Sequence, residues 1–163
     1  SGAGTSGKLI ASAFGLSISA SSVTGIEVTV GARYTGAVSQ QLTFQLRDAS
    51  ATLVGSTKTA LVNSTSETTY TVGGSADVWS TSLGQSDIND ADFGVEIWAT
   101  GVVTYAVAID WVKVNVTYTA SSTATGTRSY FNWFYGGQGV SSGVTAKKFR
   151  RTLYNRLGKR GTE

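Results

Sequence analysis

Hydrophobic and polar residues alternate strictly along four stretches of the chain. In the first stretch, Ile26, Val28 and Val30 fall on one side and Glu27 and Thr29 on the other. The same alternation recurs in three further sets of apolar residues: Leu42, Phe44 and Leu46; Phe93, Val95, Ile97 and Ala99; and Val112, Val114, Val116 and Tyr118. A period of two with one polar face is typical of strands in antiparallel sheets. With about eight strands in roughly 110 residues, the pattern predicts an all-β protein, an antiparallel jelly-roll-like sandwich of two sheets.

Composition divides the chain into four parts. Residues 1–7, SGAGTSG, are small and polar and predict a short, flexible N-terminal arm. The alternating runs place the β-sandwich at residues 8–119. Residues 120–129 are again small and polar, which is typical of a linker. Residues 130–163 then form an aromatic and basic C-terminal extension.

The C-terminal extension combines aromatic residues with a helix-like spacing. Five of the six residues from 130 to 135 are aromatic. Phe149, Leu153 and Leu157 recur at i, i+4 and i+8, and Gly158 is well placed as a cap, which predicts an amphipathic helix of about 13 residues. Because so short a helix is not stable alone in water, we expect it to fold against a protein surface. The residues expected to bind a partner are Tyr130, Phe131, Trp133, Phe134, Tyr135, Lys147, Lys148, Phe149, Arg150, Arg151, Leu153, Tyr154 and Leu157.

Four residue types, Cys, His, Met and Pro, are missing from the chain. Without Cys there is no disulfide and no thiolate chemistry, and without His the commonest general base and transition-metal ligand are absent. We therefore expect neither an enzyme nor a cofactor. The missing Met indicates removal of the initiator or cleavage from a precursor. No apolar run is long enough to span a membrane, so we expect a soluble protein with no membrane partner.

Charge is distributed unevenly along the chain. Residues 1–127 carry five Lys/Arg and nine Asp/Glu, a net charge of −4, whereas residues 128–163 carry eight Lys/Arg and one Glu, a net charge of +7. Such asymmetry indicates that the basic end has a partner. We favour a protein partner over nucleic acid, because the acidic body would repel phosphate and the apolar stripe of the extension fits a protein groove. A solvated tail is the remaining alternative.

The acidic stretch GQSDINDADFGVEIWAT, at residues 84–100, resembles a cation site at first sight. Its side chains fit no register of the calcium loop D-x-[DN]-x-[DN]-G, although a looser oxygen cage stays open. The favoured interpretation is a single helical turn capped by Ser86 or Asp87, with Ile88 directed inward and the next strand starting at Phe93. We therefore expect no metal.

Three further residues are candidates for a surface or a buried role. Trp98 and Trp111 occupy the outward positions of their strands, and we expect them near each other on one face, as a glycan platform or a protein interface. Burial under the aromatic residues of the extension is an equal alternative. Asp110 shares the parity of inward Val112, so we expect a structural carboxylate paired with Arg33 or with a turn backbone.

Three blocks of sequence carry a resemblance. In order, AFGLSISASSVTGIEVTV, TYTVGGSADVWSTSLGQSDINDADFGVEIWAT and VAIDWVKVNVTYT resemble a β-sandwich domain of tailed-phage virion proteins and some bacterial surface proteins. The likeness covers about residues 9–119. Two positions depart from the pattern: Ala20 or Ser21 stands where the family often has Pro, and Ser80 where a Gly commonly follows the Trp. The resemblance implies a structural or adhesive part of a larger assembly and defines no catalytic residue.

These observations together predict a non-enzymatic virion structural protein of a tailed phage, either a capsid decoration or a tail or fibre subunit. We expect it to assemble through its terminal arms, with other virion proteins and copies of itself as partners. The alternative is a glycan-binding or adhesive module of a phage or bacterial surface that uses Trp98 and Trp111. The expected location is the virion, or the extracellular space or cell surface under the alternative.

Overall fold

A computed structural model describes residues 3–102, 106–121 and 140–154, the last range through its backbone. The regular elements of the described residues are, in chain order, β1 (Ala3–Thr5), β2 (Leu9–Ser12), β3 (Ala20–Thr35), β4 (Gln40–Arg47), β5 (Leu53–Val62), β6 (Thr68–Gly74), α1 (Gln85–Asn89), β7 (Gly94–Val102), β8 (Ala106–Ala120) and β9 (Val140–Tyr154).

The nine described strands form two antiparallel sheets, which confirms the predicted all-β sandwich. The five-stranded sheet has the order β1-β7-β4-β5, and β2 pairs with β7 along the same edge as β1. The four-stranded sheet has the order β6-β3-β8-β9. Most neighbours in the sheets are distant in sequence, so the chain crosses repeatedly between the two sheets, as it does in jelly-roll folds.

The core lies between the two sheets and is built from the alternating positions. The inward residues of β3, β4 and β7 are buried, as the alternation predicted, and so are those of the second half of β8. Fully buried side chains include Ile26, Val28 and Val30; Leu42, Phe44 and Leu46; Phe93, Val95 and Ile97; and Val112, Val114 and Val116. Tyr118 is half-buried at the end of β8. Burial of each such side chain contributes roughly 1.5–3 kcal/mol, which makes this core the main source of stability.

A β-bulge shifts the alternation within β8. Trp111 pairs with Gly31 and Ile109 pairs with Ala32, so Asp110 is an extra residue with no counterpart in β3. The spacing of buried residues changes at the same point: the next buried residue after Ile109 is Val112, three positions later instead of two. Asp110 is half-buried and does not occupy the inward position that its parity with Val112 predicted. The inward position predicted for Asp110 was wrong because the sequence pattern did not reveal the bulge. One extra residue in a strand moves every later side chain to the opposite face of the sheet.

The N-terminal segment is part of the five-stranded sheet. β1 lies within residues 1–7, the predicted flexible arm, and pairs with the last three residues of β7. Ser6 joins β1 to β2: its backbone N–H donates to the carbonyl of Ala99 at 2.8 Å, and its hydroxyl accepts from the Ala99 N–H at 2.8 Å. Between the end of β1 and the start of β2, the Ser6 hydroxyl thus takes the place of a backbone acceptor in the hydrogen-bond ladder with β7.

The helix predicted in the C-terminal extension is wrong over the residues that the structure describes. Residues 140–154 form the 15-residue strand β9, which runs antiparallel to β8 from Thr119↔Val140 to Ala106↔Tyr154. Residues 155–163, including Leu157 and Gly158, lie outside the described residues. The i, i+4 spacing misled because an isolated short helix is marginal, whereas the open edge of β8 offers backbone partners along its whole length.

Trp79 ties the two sheets together from the loop after β6. Its indole N–H donates to the carbonyl of Ile26 in β3 at 2.8 Å, and its own carbonyl accepts from the Ser56 N–H of β5 at 2.6 Å. The side chain is fully buried, and the backbone is held in the left-handed region at φ 57°. A non-glycine residue in this region costs about 1–2 kcal/mol, so the burial and hydrogen bonds must outweigh that cost.

Gly73 provides a test of this contact. It has φ +76°, and an added Cβ would lie 2.2 Å from the Ile26 carbonyl oxygen and 2.7 Å from the Trp79 Nε1. We predict that Gly73→Ala lowers the free energy of unfolding by about 2 kcal/mol or more, from left-handed strain plus displacement of the indole.

The matched control is Gly74→Ala, because nothing lies within 4 Å of a Cβ at Gly74. This variant should stay within about 0.5 kcal/mol of the parent protein. Equilibrium urea denaturation of both variants measures the difference. Equal urea midpoints for the two variants would contradict the importance of the Trp79–Ile26 contact.

Candidate functional site

The basic part of the predicted partner-binding set lies on an edge strand. Lys147, Lys148, Phe149, Arg150, Arg151, Leu153 and Tyr154 belong to β9, whose backbone pairs with β8. Tyr130, Phe131, Trp133, Phe134, Tyr135 and Leu157 lie outside the described residues. Seven of the thirteen predicted residues are thus brought together on β9, the last strand of the four-stranded sheet among the described residues.

Trp98 and Trp111 do not share a face. Trp98 lies on β7 of the five-stranded sheet, opposite Thr43 of β4. Trp111 lies on β8 of the four-stranded sheet, opposite Gly31 of β3. The core separates the outer surfaces of the two sheets. The expected platform of two tryptophans is therefore wrong, although each residue is half-buried on the outer face of its own sheet.

The outer face around Trp98 carries charged and amide side chains. The Lys8 ammonium lies 5.4 Å from the centroid of the Trp98 ring, within the range of a cation–π contact. Thr43 is the cross-strand neighbour, and Thr100 donates to the Gln41 amide oxygen at 3.4 Å two residues further along. An aromatic ring bordered by hydroxyl and amide groups suits recognition of a sugar ring, because it supplies both a stacking face and hydrogen-bonding groups.

Glu96 is a buried carboxylate beside Trp98. Its residue exposure is 5%, although it points away from the core. Lys8 Nζ lies 2.5 Å from one carboxylate oxygen and Arg47 Nη1 lies 3.4 Å from the other. The outward parity of Glu96 between Val95 and Ile97 was visible in the sequence, but its partners come from β4 and from the turn before β2, which only the fold brings together.

Arg47 completes this cluster with an unused donor. Its side chain is 16% exposed, and its buried Nε has no hydrogen-bond acceptor among the described residues. An unpaired buried donor costs about 1–3 kcal/mol. The Glu96 cluster, defined as Lys8, Arg47 and Glu96, therefore combines a charge network with one buried donor that has no acceptor among the described residues.

Trp111 has a structural explanation on its own sheet. Its ring lies across Gly31, where an added Cβ would come within 2.1 Å of the indole nitrogen. The indole N–H donates to Glu67 Oε1 at 3.2 Å. Gly31 leaves room for the ring to lie flat on the sheet, so Trp111 covers the backbone of β3 instead of standing free as a platform.

The acidic stretch forms a capped helical turn. α1 is preceded by Gly84 as its N-cap residue, whose N–H donates to Asp87 Oδ2 at 2.9 Å, and Asp90 Oδ1 accepts from the Asp92 N–H at 2.8 Å. Asn89 fastens the turn to the segment before β3 through two bonds with the Ile18 backbone, at 2.7 and 2.9 Å. The N-cap is Gly84 and not the predicted Ser86 or Asp87. Ile88 is buried as expected.

Lys58 and Asp77 form an ion pair beside Trp79. Lys58 Nζ donates to Asp77 Oδ2 at 2.6 Å, and Asp77 Oδ1 accepts from the Trp79 backbone N–H at 2.8 Å. The Lys58 ammonium also lies 5.7 Å from the centroid of the Trp79 ring. The hydrogen bond from Lys58, followed by that from the Trp79 N–H, holds the pKa of Asp77 below its usual value of 3.8.

Within residues 3–102, 106–121 and 140–154, no group of three or more His, Cys, Asp or Glu side chains is arranged to hold a metal ion. In the same part of the chain, no helix has the length and apolar character needed to cross a membrane. Comparisons with protein-family models, with curated proteins and with solved structures found no match to this chain.

The Asp77 ion pair predicts an acid-dependent loss of stability. Because the folded-state pKa is lowered, the ionised carboxylate stabilises the fold above the unfolded pKa near 3.8, and that contribution is lost as pH falls through the folded pKa. We predict that Asp77→Asn costs less than about 1 kcal/mol at neutral pH, since the pair is partly exposed.

The difference between the parent protein and Asp77→Asn should shrink on acidification. Urea midpoints of both proteins, measured at about pH 6 and about pH 3, test this. A difference that stays constant between these pH values would refute the assignment.

Proposed function

We propose that this protein is a non-enzymatic structural subunit of a tailed-phage virion, which decorates the capsid or forms part of a tail or fibre. The observation that carries the proposal is the position of β9: the basic C-terminal segment forms the outer edge of the four-stranded sheet. An edge strand presents a row of backbone N–H and C=O groups to a neighbouring chain. The proposed partners are copies of this chain and other virion proteins.

Two of the edge strands, β1 and β9, support a role in assembly. β1, near the N-terminus, lies on an edge of the five-stranded sheet, and β9 lies on an edge of the four-stranded sheet. Each strand can therefore extend a sheet into a neighbour without disturbing the core. This arrangement suits a building block whose contacts are made by its termini and whose sandwich is stable without disulfides.

Charge supports contacts between copies. Residues 1–127 have a net charge of −4, whereas β9 contains Lys147, Lys148, Arg150 and Arg151 and no acidic residue. Attraction between the basic edge of one copy and the acidic body of another would set orientation and speed encounter. Such attraction is screened by salt beyond about 8–10 Å, so assembly should weaken at high ionic strength.

The resemblance to phage virion domains also supports the proposal. The three resembling blocks end in β3, β7 and β8, and the middle block includes Trp79. These residues form the inner framework of the sandwich. Under the proposal, the resembling residues form the building block. β9, which lies outside the resemblance, makes the contacts with neighbouring subunits that are particular to this protein.

Sedimentation velocity of the full chain tests the proposal. We predict a defined oligomer or polymer for the parent protein, and a shift toward monomer for the double variant Phe149→Ser and Leu153→Ser. The control is Leu61→Ser, which removes an apolar side chain that is 56% exposed on β5, the opposite edge of the other sheet. This control should sediment like the parent protein.

Monomeric sedimentation of the parent protein at every concentration would contradict self-assembly. Equal sedimentation of the parent protein and the double variant would remove the C-terminal segment from the mechanism. Circular dichroism on each sample checks that the sandwich remains folded.

A glycan-binding or adhesive module of a phage or bacterial surface is the second candidate. It is favoured by Trp98, by the Lys8 ammonium near its ring and by its hydroxyl and amide neighbours. A glycan array discriminates between the candidates: binding that is lost in Trp98→Ala and kept in Trp111→Ala would favour this role. The second variant is a suitable control because Trp111 lies on the opposite sheet.

A further inference from the structure

β8 is an inner strand of the four-stranded sheet that depends on the C-terminal segment for one of its edges. β3 covers one edge from Thr35↔Ala106 to Ala20↔Ala120, and β9 covers the other over nearly the same length. Without β9, this second edge of a 15-residue strand would present a long row of unpaired backbone groups. Whatever chain covers this edge completes the sheet.

The connection between β8 and β9 leaves open which copy supplies the strand. Residues 120–139, 20 in number, lie between the paired residues Thr119 and Val140. Tight hairpins join their strands with about two to five residues, which forces pairing within one chain. A connection of this length can reach up to roughly 70 Å when extended, which is enough to reach a neighbouring subunit.

β9 is also able to leave its sheet without disrupting another strand pair. Among the described strands it pairs with β8 alone, and it is the last of them in the chain. Exchange of a terminal edge element between identical chains is a low-cost route to an oligomer, because the bonds made in the exchanged form are the same as those broken.

The register indicates that backbone bonds hold most of β9 in place, and it sets the apolar Leu153 opposite the buried Val107. Val112 and Ile109 of β8 are 0% and 1% exposed, yet their cross-strand partners are Lys147 and Arg151. A strand whose sequence does not repeat the apolar pattern of its neighbour contributes mainly main-chain hydrogen bonds, as in recognition by strand addition. An identical strand from another copy makes the same bonds.

We propose that β9 is exchanged between subunits: in the assembled protein, β9 of one copy pairs with β8 of a second copy. The inference rests on the proposed assembly function and names its mechanism. The β8 edge is then the docking surface, and the occupant is residues 140–154 of a neighbouring copy. The positive charge of this strand and the net negative charge of residues 1–127 attract two copies to each other, which brings β9 of one copy near the body of the other.

Disulfide trapping in the full chain tests the exchange, because the chain contains no Cys of its own. Thr117 and Ser142 are cross-strand partners, as are Lys113 and Ala146. Opposed Cα atoms in antiparallel strands are about 4.5–5.5 Å apart, within the range that a disulfide spans. The two test proteins are Thr117→Cys with Ser142→Cys, and Lys113→Cys with Ala146→Cys.

The control is Thr117→Cys with Thr152→Cys, because Thr152 pairs with Ala108, at the other end of β8. Each protein is refolded, concentrated to the assembled state, oxidised and run on a denaturing gel without reductant. We expect covalent dimers or ladders from the two in-register proteins and far fewer from the control, which reports random collisions. Cross-linking should disappear on addition of reductant.

Two outcomes would overturn the proposal. In-register proteins that run as monomers without free thiols contain the disulfide within one chain, so β9 stays with its own β8. In-register proteins that retain free thiols in both designs do not pair β9 with β8 in this register at all. Sedimentation of the same samples distinguishes failure of strand exchange from failure of self-assembly. If the protein forms oligomers but every disulfide lies within one chain, self-assembly is supported and strand exchange is refuted.

Discussion

The backbone of β8 needs a partner on both of its edges, and the four-stranded sheet depends on meeting that need. β3 serves one edge over the whole strand, and β9 serves the other from Ala106 to Thr119. The inward side chains of β8, such as Val112 and Val114, are fully buried in the core. Without β9, this edge of the 15-residue strand would present unpaired N–H and C=O groups and would be a template for pairing with another chain. The C-terminal segment is therefore part of the fold and a candidate for contact with neighbours at the same time.

The sandwich that carries this edge is stabilised by its core and by the Trp79 loop. Trp79 connects Ile26 of β3 with Ser56 of β5, one strand from each sheet, and the Lys58–Asp77 pair fixes the loop at the surface. These contacts perform the bracing that a disulfide supplies in other small β domains. A sandwich braced from within leaves both of its edge segments, β1 and β9, available for assembly. The proposed function follows from this division between a fixed body and terminal edge strands.

The sequence predicted those parts of the structure that depend on local alternation. The inward faces of β3, β4 and β7, and burial of Ile88 in the turn before β7, could be read directly, because a one-sided sheet repeats every two residues. Features that depend on contacts between distant parts of the chain could not be predicted from the sequence. Trp98 and Trp111 were assigned to one face, yet strand parity does not reveal which sheet a strand joins. The β9 segment was assigned to a helix because Phe149 and Leu153 are four residues apart, while its partner strand begins 34 residues before it. Glu96 was visible as an outward residue, but its ion pairs with Lys8 and Arg47 arise only from strand pairing.

Amide hydrogen exchange along residues 140–154 and 106–120 of the full chain tests the central claim most directly. If β9 closes the second edge of β8, the amides of both segments exchange slowly, and Thr145→Pro accelerates exchange in both, because proline removes a backbone donor and distorts the strand in the middle of β9. In the same variant, β4 and β7 of the other sheet should keep their protection. Exchange of residues 140–154 at the rate of an unstructured chain, with β8 equally protected in the parent protein and in Thr145→Pro, would contradict the account.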